Sequence, residues 1–176
     1  MRLFERQSMI SRFIPVLVLS LVLAACNSNP LEVTISRCPA VAIVGDTGTL
    51  TRFDGDGRTD SNVMFTATIS DVDVTCSEGD SVSSAVSMYI AAESDGKIVN
   101  DTVTLPYFVA ILKDNSEIVT KRIFDVTLQF DGNGYAVSHE VLSQYIPTIE
   151  QARRYNYEFL IGFQLSVDDV AYNMER

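Results

Sequence analysis

A short acidic loop, Phe53-Asp-Gly-Asp-Gly-Arg-Thr-Asp60, has the residue types and spacing closest to those of a metal site. Asp54, Asp56 and Asp60 occupy the first, third and seventh positions of an EF-hand calcium loop, and calcium takes carboxylate oxygens as ligands. The remaining positions differ from that pattern, because Arg58 stands where a ligand is needed and a phenylalanine replaces the closing glutamate. A solvated turn is therefore the favoured interpretation, and loose calcium binding by the three aspartates is the alternative.

The only histidine of the chain, His139, is the one side chain with a pKa suited to base catalysis near neutral pH. It lies between Ser138 and Glu140, which suggests a hydrolytic relay. Neighbours on a strand point to opposite faces, so these three side chains do not form a relay among themselves. We therefore expect a protein that is not an enzyme, with a hydrolase built from dispersed residues as a remote alternative. A glycan-binding module is disfavoured because the chain has no tryptophan.

The first 25 residues have the pattern of a secretory signal peptide. A basic segment with three arginines and one glutamate precedes an almost wholly apolar run, Phe13–Ala25. This run has 13 residues, whereas a spanning helix needs about 20. Met9 is an alternative start, since a chain beginning there would keep the whole apolar run.

The end of the apolar run, Leu23-Ala24-Ala25-Cys26, resembles the lipobox of bacterial lipoproteins. The resemblance implies that the signal peptide of residues 1–25 is removed and that Cys26 becomes an acylated N-terminus. A single acyl chain binds a bilayer only marginally, but several chains on one residue give a stable anchor. Asn27 follows the cysteine where inner-membrane lipoproteins tend to have aspartate, which favours the outer membrane over the inner membrane. The expected location is the cell envelope, facing the periplasm.

Assigning Cys26 to lipid leaves two of the three cysteines, Cys38 and Cys76. An oxidising periplasm favours a disulfide between them. A zinc site needs further ligands, and the single histidine makes zinc a poor competitor. We therefore predict a Cys38–Cys76 disulfide, no bound metal and no cofactor.

Charge limits the partners of the mature chain. Without residues 1–25 the chain has 10 basic and 22 acidic residues, a net charge of −12. Such a surface repels nucleic acid and anionic lipid headgroups, so the acyl anchor is expected to hold the protein at the bilayer unaided. Residues 26–37 form the lipidated N-terminus and a tether that reaches at most about 40 Å. We expect a single domain over residues 38–176, working close to the membrane.

The rest of the chain is dominated by alternating patterns typical of strands. Phe124, Val126, Leu128 and Phe130 alternate with polar residues, as do the apolar residues between Tyr157 and Leu165. A change of face near Ser70-Asp71 indicates a β-bulge. Pro106 indicates that the central part of the strand Leu105–Leu112 begins after it. Further strands are expected in these segments: Val33–Arg37 or Val41–Val44, Val86–Ile90 and Tyr135–Val141.

Turn residues separate these strands, as expected for an antiparallel sheet. Clusters rich in Asp, Asn and Gly occur at residues 94–97, 113–116 and 131–134. Only two short helices are predicted, Pro147–Arg154 and Ser166–Met174, the second with Ser166 and Asp169 placed for a capping box. Seven or eight strands with so little helix predict an all-β, antiparallel sandwich of the immunoglobulin or fibronectin-III type. A closed barrel is the alternative.

Several short segments resemble those of small uncharacterised envelope lipoproteins of alphaproteobacteria. They cover most of the mature chain, and they are Cys38-Pro-Ala-Val-Ala42, Leu50-Thr-Arg-Phe53, Pro106-Tyr-Phe-Val-Ala110, Gly162-Phe-Gln-Leu165 and Ala171-Tyr-Asn173. This resemblance implies a lipoprotein and assigns no catalytic residue.

These features together predict a lipid-anchored envelope protein that offers the edges or loops of a β-sandwich to a protein partner. The expected role is structural, in assembly or maintenance of the envelope. Tyrosines at 145, 155, 157 and 172, with the pair Arg153-Arg154, suggest an interaction surface in the last third of the chain, because Tyr and Arg are enriched in binding hot spots. The alternative is that these tyrosines complete the edge of the core with their hydroxyls at the surface.

Overall fold

Two four-stranded sheets make up most of the computed structural model, which describes residues 37–176. The signal peptide, Cys26 and the tether up to residue 36 lie outside the described residues. The strands are β1 (Ala40–Ile43), β2 (Thr49–Phe53), β3 (Val63–Glu78), β4 (Val82–Glu93), β5 (Thr102–Lys113), β6 (Glu117–Gln129), β7 (Tyr135–Ile146) and β8 (Tyr157–Phe163). Two helices, α1 (Ile149–Arg154) and α2 (Val167–Met174), and two short 3-10 turns at 45–47 and 60–62 complete the described part.

The strand order defines two sheets, A and B. Sheet A has the order β1-β8-β5-β6 and sheet B the order β2-β3-β4-β7. All neighbouring strands are antiparallel except β1 and β8, which pair in parallel. The two sheets face each other across one core, so the all-β sandwich predicted from the sequence is confirmed, with eight strands, and the closed barrel is not observed.

The core lies between the inner faces of both sheets. It is built from alternate residues of each strand, because successive side chains on a strand point to opposite faces. The ring of Phe65 in sheet B packs against the ring of Phe130, the residue that follows β6, with centroids 5.6 Å apart. The largest fully buried side chains come from both sheets: Tyr107, Phe130, Phe163, Met88, Ile90, Leu105, Leu128 and Ile161.

A bulge keeps the long strand β3 amphipathic along its whole length. Ser70 pairs with Tyr89 and Asp73 with Ser87, so β3 uses one residue more than β4 between these pairs. Asp71 has a φ of 48°, a left-handed conformation that aspartate tolerates better than most residues. The bulge moves the inward face from odd to even positions, as the sequence predicts, so Ile69 and Val74 both face the core.

Pro106 and the turn residues have the positions that the sequence predicts for them. Pro106 lies in β5, and pairing of β5 with β8 begins one residue later, at Tyr107. Asp114 and Asn115, between β5 and β6, both have positive φ angles, and so does Gly134 before β7. Ser166 and Asp169 form the predicted capping box at the start of α2.

The predicted disulfide is present and links the two sheets. Cys38, two residues before β1 of sheet A, bonds to Cys76 of sheet B with a Cα–Cα distance of 5.8 Å. The backbone N–H of Arg37 donates to Oε1 of Glu78 at 2.8 Å, which holds the chain beside the end of β3. In α1, the N–H of Ile149 donates to the carbonyl of Asp80 at the same end. We call this the tether end, defined by Arg37, the β3–β4 turn and α1.

A second small core closes the tether end beside the disulfide. Val82, Ile146 and Ala152 are buried there, and Cys76, Ile149 and Tyr157 pack against them. Within residues 37–176, neither helix is long and apolar enough to cross a membrane.

Removing the disulfide should destabilise the domain. In the chain-entropy model, a loop of 38 residues corresponds to about 4 kcal/mol of unfolding free energy. We expect Cys38→Ser with Cys76→Ser to lower the free energy of unfolding in urea by roughly this amount, whereas Cys26→Ser should leave it unchanged. Equal urea midpoints for the oxidised protein and the double variant would contradict the prediction.

Candidate functional site

Strand β7 has an apolar face on the outside of the protein. Its odd-numbered residues point away from the core, and Tyr135, Val137, Val141 and Tyr145 among them are 47% to 62% exposed. Its even-numbered residues point inward, and Ala136, Leu142 and Ile146 among them are apolar whereas Ser138, Glu140 and Gln144 are polar. A strand at a core normally has apolar residues inside and polar residues outside. β7 thus has apolar residues on both faces and exposes several of them to solvent.

The free edge of β7 has one of the features that usually protect an edge strand, the inward-pointing charge of Glu140. Its twelve residues contain no lysine, arginine or proline, and it pairs only with β4. The edge of sheet A on the same side, β6, carries Lys121, Arg122 and Asp125. Unprotected edges expose backbone N–H and C=O groups that can pair with another chain. Edge pairing is therefore available at β7.

Between β6 and β7 the sandwich is closed at one end and open at the other. Near the β6–β7 turn, Val126, Leu128 and Ala136 are buried. Toward the tether end, Ile118 on the same face of β6 is 63% exposed, and Thr120 and Arg122 also remain outside the core. The two strand edges thus separate along their length. We call this open region, from Ile118 to Arg122 on β6 and Leu142 to Tyr145 on β7, the seam.

A cleft of about 370 Å³ lies inside the seam. Its floor is apolar and comes from both sheets: Val109, Ile111, Phe124, Leu142 and Phe159. Arg122, Gln144 and Tyr145 lie at its rim. Within residues 37–176, Arg122 forms no ion pair. The volume falls in the range typical of binding pockets.

Two buried polar atoms on the inner face of sheet B have no hydrogen-bond partner in the described part of the chain. They are Oε1 of Gln144, a residue that also lines the cleft, and Oγ of Ser84, which lies opposite Gln144 on β4. An unsatisfied buried polar group costs about 1–3 kcal/mol.

A polar cluster borders the cleft on the side of the β6–β7 turn. Oε1 of Glu140 accepts a hydrogen bond from the Ser138 hydroxyl at 2.6 Å, and Oε2 accepts one from the Tyr107 hydroxyl at 3.4 Å. Burial, and then the negative charge and hydrogen bond of Glu140, raise the pKa of Tyr107 to about 12. Tyr107 therefore remains a hydrogen-bond donor at neutral pH and orients the Glu140 carboxylate.

His139 takes no part in this cluster. It lies on the outer face of β7, where its ring stacks on Tyr89 of β4 with centroids 4.7 Å apart. Ser138 and Glu140 point to the inner face and interact with each other. The three neighbours are thus divided between two faces, as the strand geometry predicts.

The acidic loop does not gather its three aspartates. Among residues 37–176, the group of potential ligands that converges is Cys38, Cys76 and Glu78, and both of these sulfur atoms are held in the disulfide. Asp60 of the loop forms an ion pair with Arg176 at 2.8 Å and accepts a hydrogen bond from Tyr172. Asp54 and Asp56 do not form a ligand group with it.

The same loop holds α2 against sheet B. The Arg58 guanidinium contacts Asp169 at 2.9 Å, and the rings of Phe53 and Tyr172 meet edge to face at 4.9 Å. Partial burial by itself raises the pKa of Asp169, but hydrogen bonds from Ser166 and the charge of Arg58 lower it below its usual value. The loop that resembles a calcium site is therefore a docking surface for the C-terminal helix.

The four tyrosines proposed as an interaction surface lie in different places. Tyr145 is on β7 at the rim of the cleft, and Tyr172 is on α2. Tyr155 and Tyr157 contact each other beyond α1, where Lys113 covers the Tyr155 ring. Only Tyr145 belongs to the seam.

Sequence reasoning missed most of the seam. Arg122, Leu142 and Gln144 become a site only because β6 and β7 diverge, which depends on the packing of the two sheets. The sequence held one signal of an apolar outer face on β7. Val137 and Val141 lie on the same face of the strand as His139, whereas the charged Glu140 lies on the other face. That arrangement fits a strand with an apolar outer surface.

Three comparisons with known proteins complete the description of the site. No protein-family model, no curated protein and no solved structure shows significant similarity to this chain.

Replacing Tyr107 should change how stability depends on alkaline pH. An unfolded tyrosine releases its proton near pH 10, whereas folded Tyr107 holds it to about 12, so folding stability falls as the pH rises from 10 to 12. We expect Tyr107→Phe to remove this loss, which approaches about 1.4 kcal/mol per pH unit midway between pH 10 and 12, as measured by urea unfolding at pH 10, 10.5, 11 and 11.5. An unchanged slope in Tyr107→Phe would contradict the prediction.

Proposed function

We propose that this protein is a lipid-anchored envelope protein that faces the periplasm and binds an extended segment of a protein at the seam. The binding is non-enzymatic and serves assembly or maintenance of the envelope, at the outer membrane rather than the inner membrane. The exposed apolar face of β7 carries the proposal, because such a face beside a strand edge that pairs with no other described strand is costly for a protein that works alone.

The cysteines support the anchor. Cys38 and Cys76 form the disulfide, and Cys26, at the end of the lipobox-like segment, is the third cysteine of the chain. A structural disulfide fits an exported protein in an oxidising compartment. Acylation of Cys26 accounts for the remaining thiol.

The geometry of the seam supports an extended protein segment as the ligand. Such a segment gains backbone hydrogen bonds from a free strand edge and places alternate side chains into a neighbouring apolar pocket. The seam provides both, with β7 as the edge and the cleft as the pocket. Arg122 at the rim of the cleft favours a segment that carries carboxylates.

The chemistry of the seam supports a role in binding. The polar groups that line the seam include Thr120, Arg122 and Gln144, and the Glu140 cluster borders it. His139 lies outside the seam, on the opposite face of β7. Glu140 is engaged by Ser138 and Tyr107. This set provides hydrogen bonds and charge for a ligand.

If the protein has the proposed lipid anchor, Cys26 is acylated. The first tryptic peptide of the mature protein should begin at Cys26 and carry acyl chains, as measured by mass spectrometry of membranes from cells that express the full chain. Cys26→Ser should move the protein to the aqueous phase after detergent phase separation. An unmodified Cys26 in the wild-type protein would refute the anchor.

The seam predicts a partner within contact distance of Tyr145. We expect the photo-crosslinking residue p-benzoylphenylalanine, placed at Tyr145 in the full chain, to capture a protein in intact cells. Tyr145 suits this substitution because its ring is 62% exposed at the cleft rim. Val167, which is 84% exposed on α2, is the matched control site and should capture at least tenfold less.

Two results would overturn the seam as the binding site. One is the absence of any crosslinked protein from Tyr145, and the other is equal capture from Tyr145 and Val167. Neither result depends on the state of Cys26, so the anchor and the binding site are tested separately.

A further inference from the structure

We infer that the extended segment bound at β7 is strand β7 of a second copy of this chain. The two β7 strands pair antiparallel about a two-fold axis at Val141, which joins the two copies of sheet B into one sheet. The inference rests on the proposed function, because it names the partner for the strand edge that this function uses. Its basis is the direction of the backbone groups of β7, the order of its side chains and the position of its charge.

Alternate residues of β7 direct their backbone N–H and C=O groups to the free edge. The carbonyl of Gly134 accepts a hydrogen bond from the N–H of Ser94, in continuation of the β4–β7 register. Hydrogen-bonded and non-hydrogen-bonded pairs alternate along an antiparallel ladder, so the even-numbered residues of β7 bond to β4 and the odd-numbered residues direct their groups to the edge. Asp131 already bonds both the N–H and the C=O of Tyr135. The edge groups that remain are those of Val137, His139, Val141, Ser143 and Tyr145.

The remaining edge residues are symmetric about Val141. In an antiparallel pair centred there, Val137 of one copy lies opposite Tyr145 of the other, and His139 lies opposite Ser143. Each edge residue then exchanges both of its backbone hydrogen bonds, which gives about ten in total. A typical protein–protein interface has about ten direct hydrogen bonds, so this edge supplies as many as a stable dimer needs. An axis at His139 would instead leave Ser143 and Tyr145 without partners.

The same register pairs the exposed apolar side chains of β7 with one another. Val137, Val141 and Tyr145 are 52%, 56% and 62% exposed on its outer face. Side chains that lie directly opposite each other in an antiparallel pair are in contact. Val141 therefore packs against its own counterpart, and Val137 packs against Tyr145 of the second copy on both sides of the axis. This symmetry favours a second β7 over an unrelated segment, because an identical strand matches both halves of the contact.

The charge of β7 selects this register over a neighbouring one. Glu140 is the residue of β7 that carries a formal charge at neutral pH. An axis at Glu140 would place two carboxylates directly opposite each other, which is destabilising. With the axis at Val141, Glu140 lies opposite Leu142 of the second copy. Leu142 lines the cleft together with Arg122, which forms no ion pair within residues 37–176, so the carboxylate approaches an available cation.

Photo-crosslinking from Tyr145 identifies the captured segment. Cells would express two full-length copies with different tags, one of them with p-benzoylphenylalanine at Tyr145. We expect mass spectrometry to find peptides that join position 145 of one copy to residues 135–139 of the other. The same probe at Val167, on α2, should give at least tenfold less of this product.

The contact of Val141 with its own counterpart allows a stricter test. Val141→Lys and Val141→Glu each place two like charges opposite each other, so each variant expressed alone should give at least tenfold less crosslinked dimer. Co-expression of the two variants places opposite charges together and should restore the dimer to within about threefold of wild type. Restoration by this mixed pair also shows that both variants are folded.

The matched control is the same pair of substitutions at Val137. Val137 faces Tyr145 and not its own counterpart, so Val137→Lys and Val137→Glu do not meet each other across the axis. Each should weaken the dimer, and their co-expression should not restore it.

Several outcomes would overturn the inference. These are a dimer that persists in Val141→Lys, a mixed Val141 pair that does not restore the dimer, and capture of only other proteins from Tyr145. The last outcome would refute the second copy as the partner and leave the proposed function intact. If Tyr145 captures no protein at all, both the inference and the proposed binding site are wrong.

Discussion

Packing of the inner faces of two sheets against each other is the constraint on which the rest of the structure depends. It fixes the side-chain direction of every strand, because a shift of one residue would move a whole apolar face into water. The bulge in β3 and the turns with positive φ keep the apolar residues in phase. The helix α1 and the disulfide complete this packing at the tether end. Between β6 and β7 the packing is left open near the tether end.

The seam is a region where the apolar core between the two sheets is incomplete. Closing it with apolar side chains would stabilise the isolated domain, because partly exposed residues such as Leu142 and Phe124 would become buried. Gln144 and Arg122 line the seam instead, and one buried oxygen of Gln144 has no hydrogen-bond partner among residues 37–176. An incomplete core of this kind lowers the stability of the isolated domain. Under the proposed function, an added strand would complete the packing that the domain lacks.

Much of the fold could be predicted from the sequence because its signals are local. Alternation along β6 and β8, turn residues such as Asp114-Asn115, and the capping box at Ser166 each act over a few residues. The site could not be predicted in the same way. The cleft depends on where β6 and β7 diverge, and the partners of Asp60 lie more than a hundred residues away, on α2 and at its end. Loop spacing alone favoured a solvated turn, with calcium binding as the alternative, and it gave no sign of the contact between Asp60 and Arg176.

The position of the disulfide has a mechanical consequence for a chain held by its N-terminus. Any tension in the tether enters the domain at Arg37 and Cys38. Without the disulfide this load would fall on β1, which has four residues and a single pairing partner. The Cys38–Cys76 bond divides the load and transfers part of it to β3, a strand of 16 residues that is paired with β4 along most of its length. Force is thereby spread over the long β3–β4 ladder of sheet B, and the short strand β1 does not have to resist peeling alone.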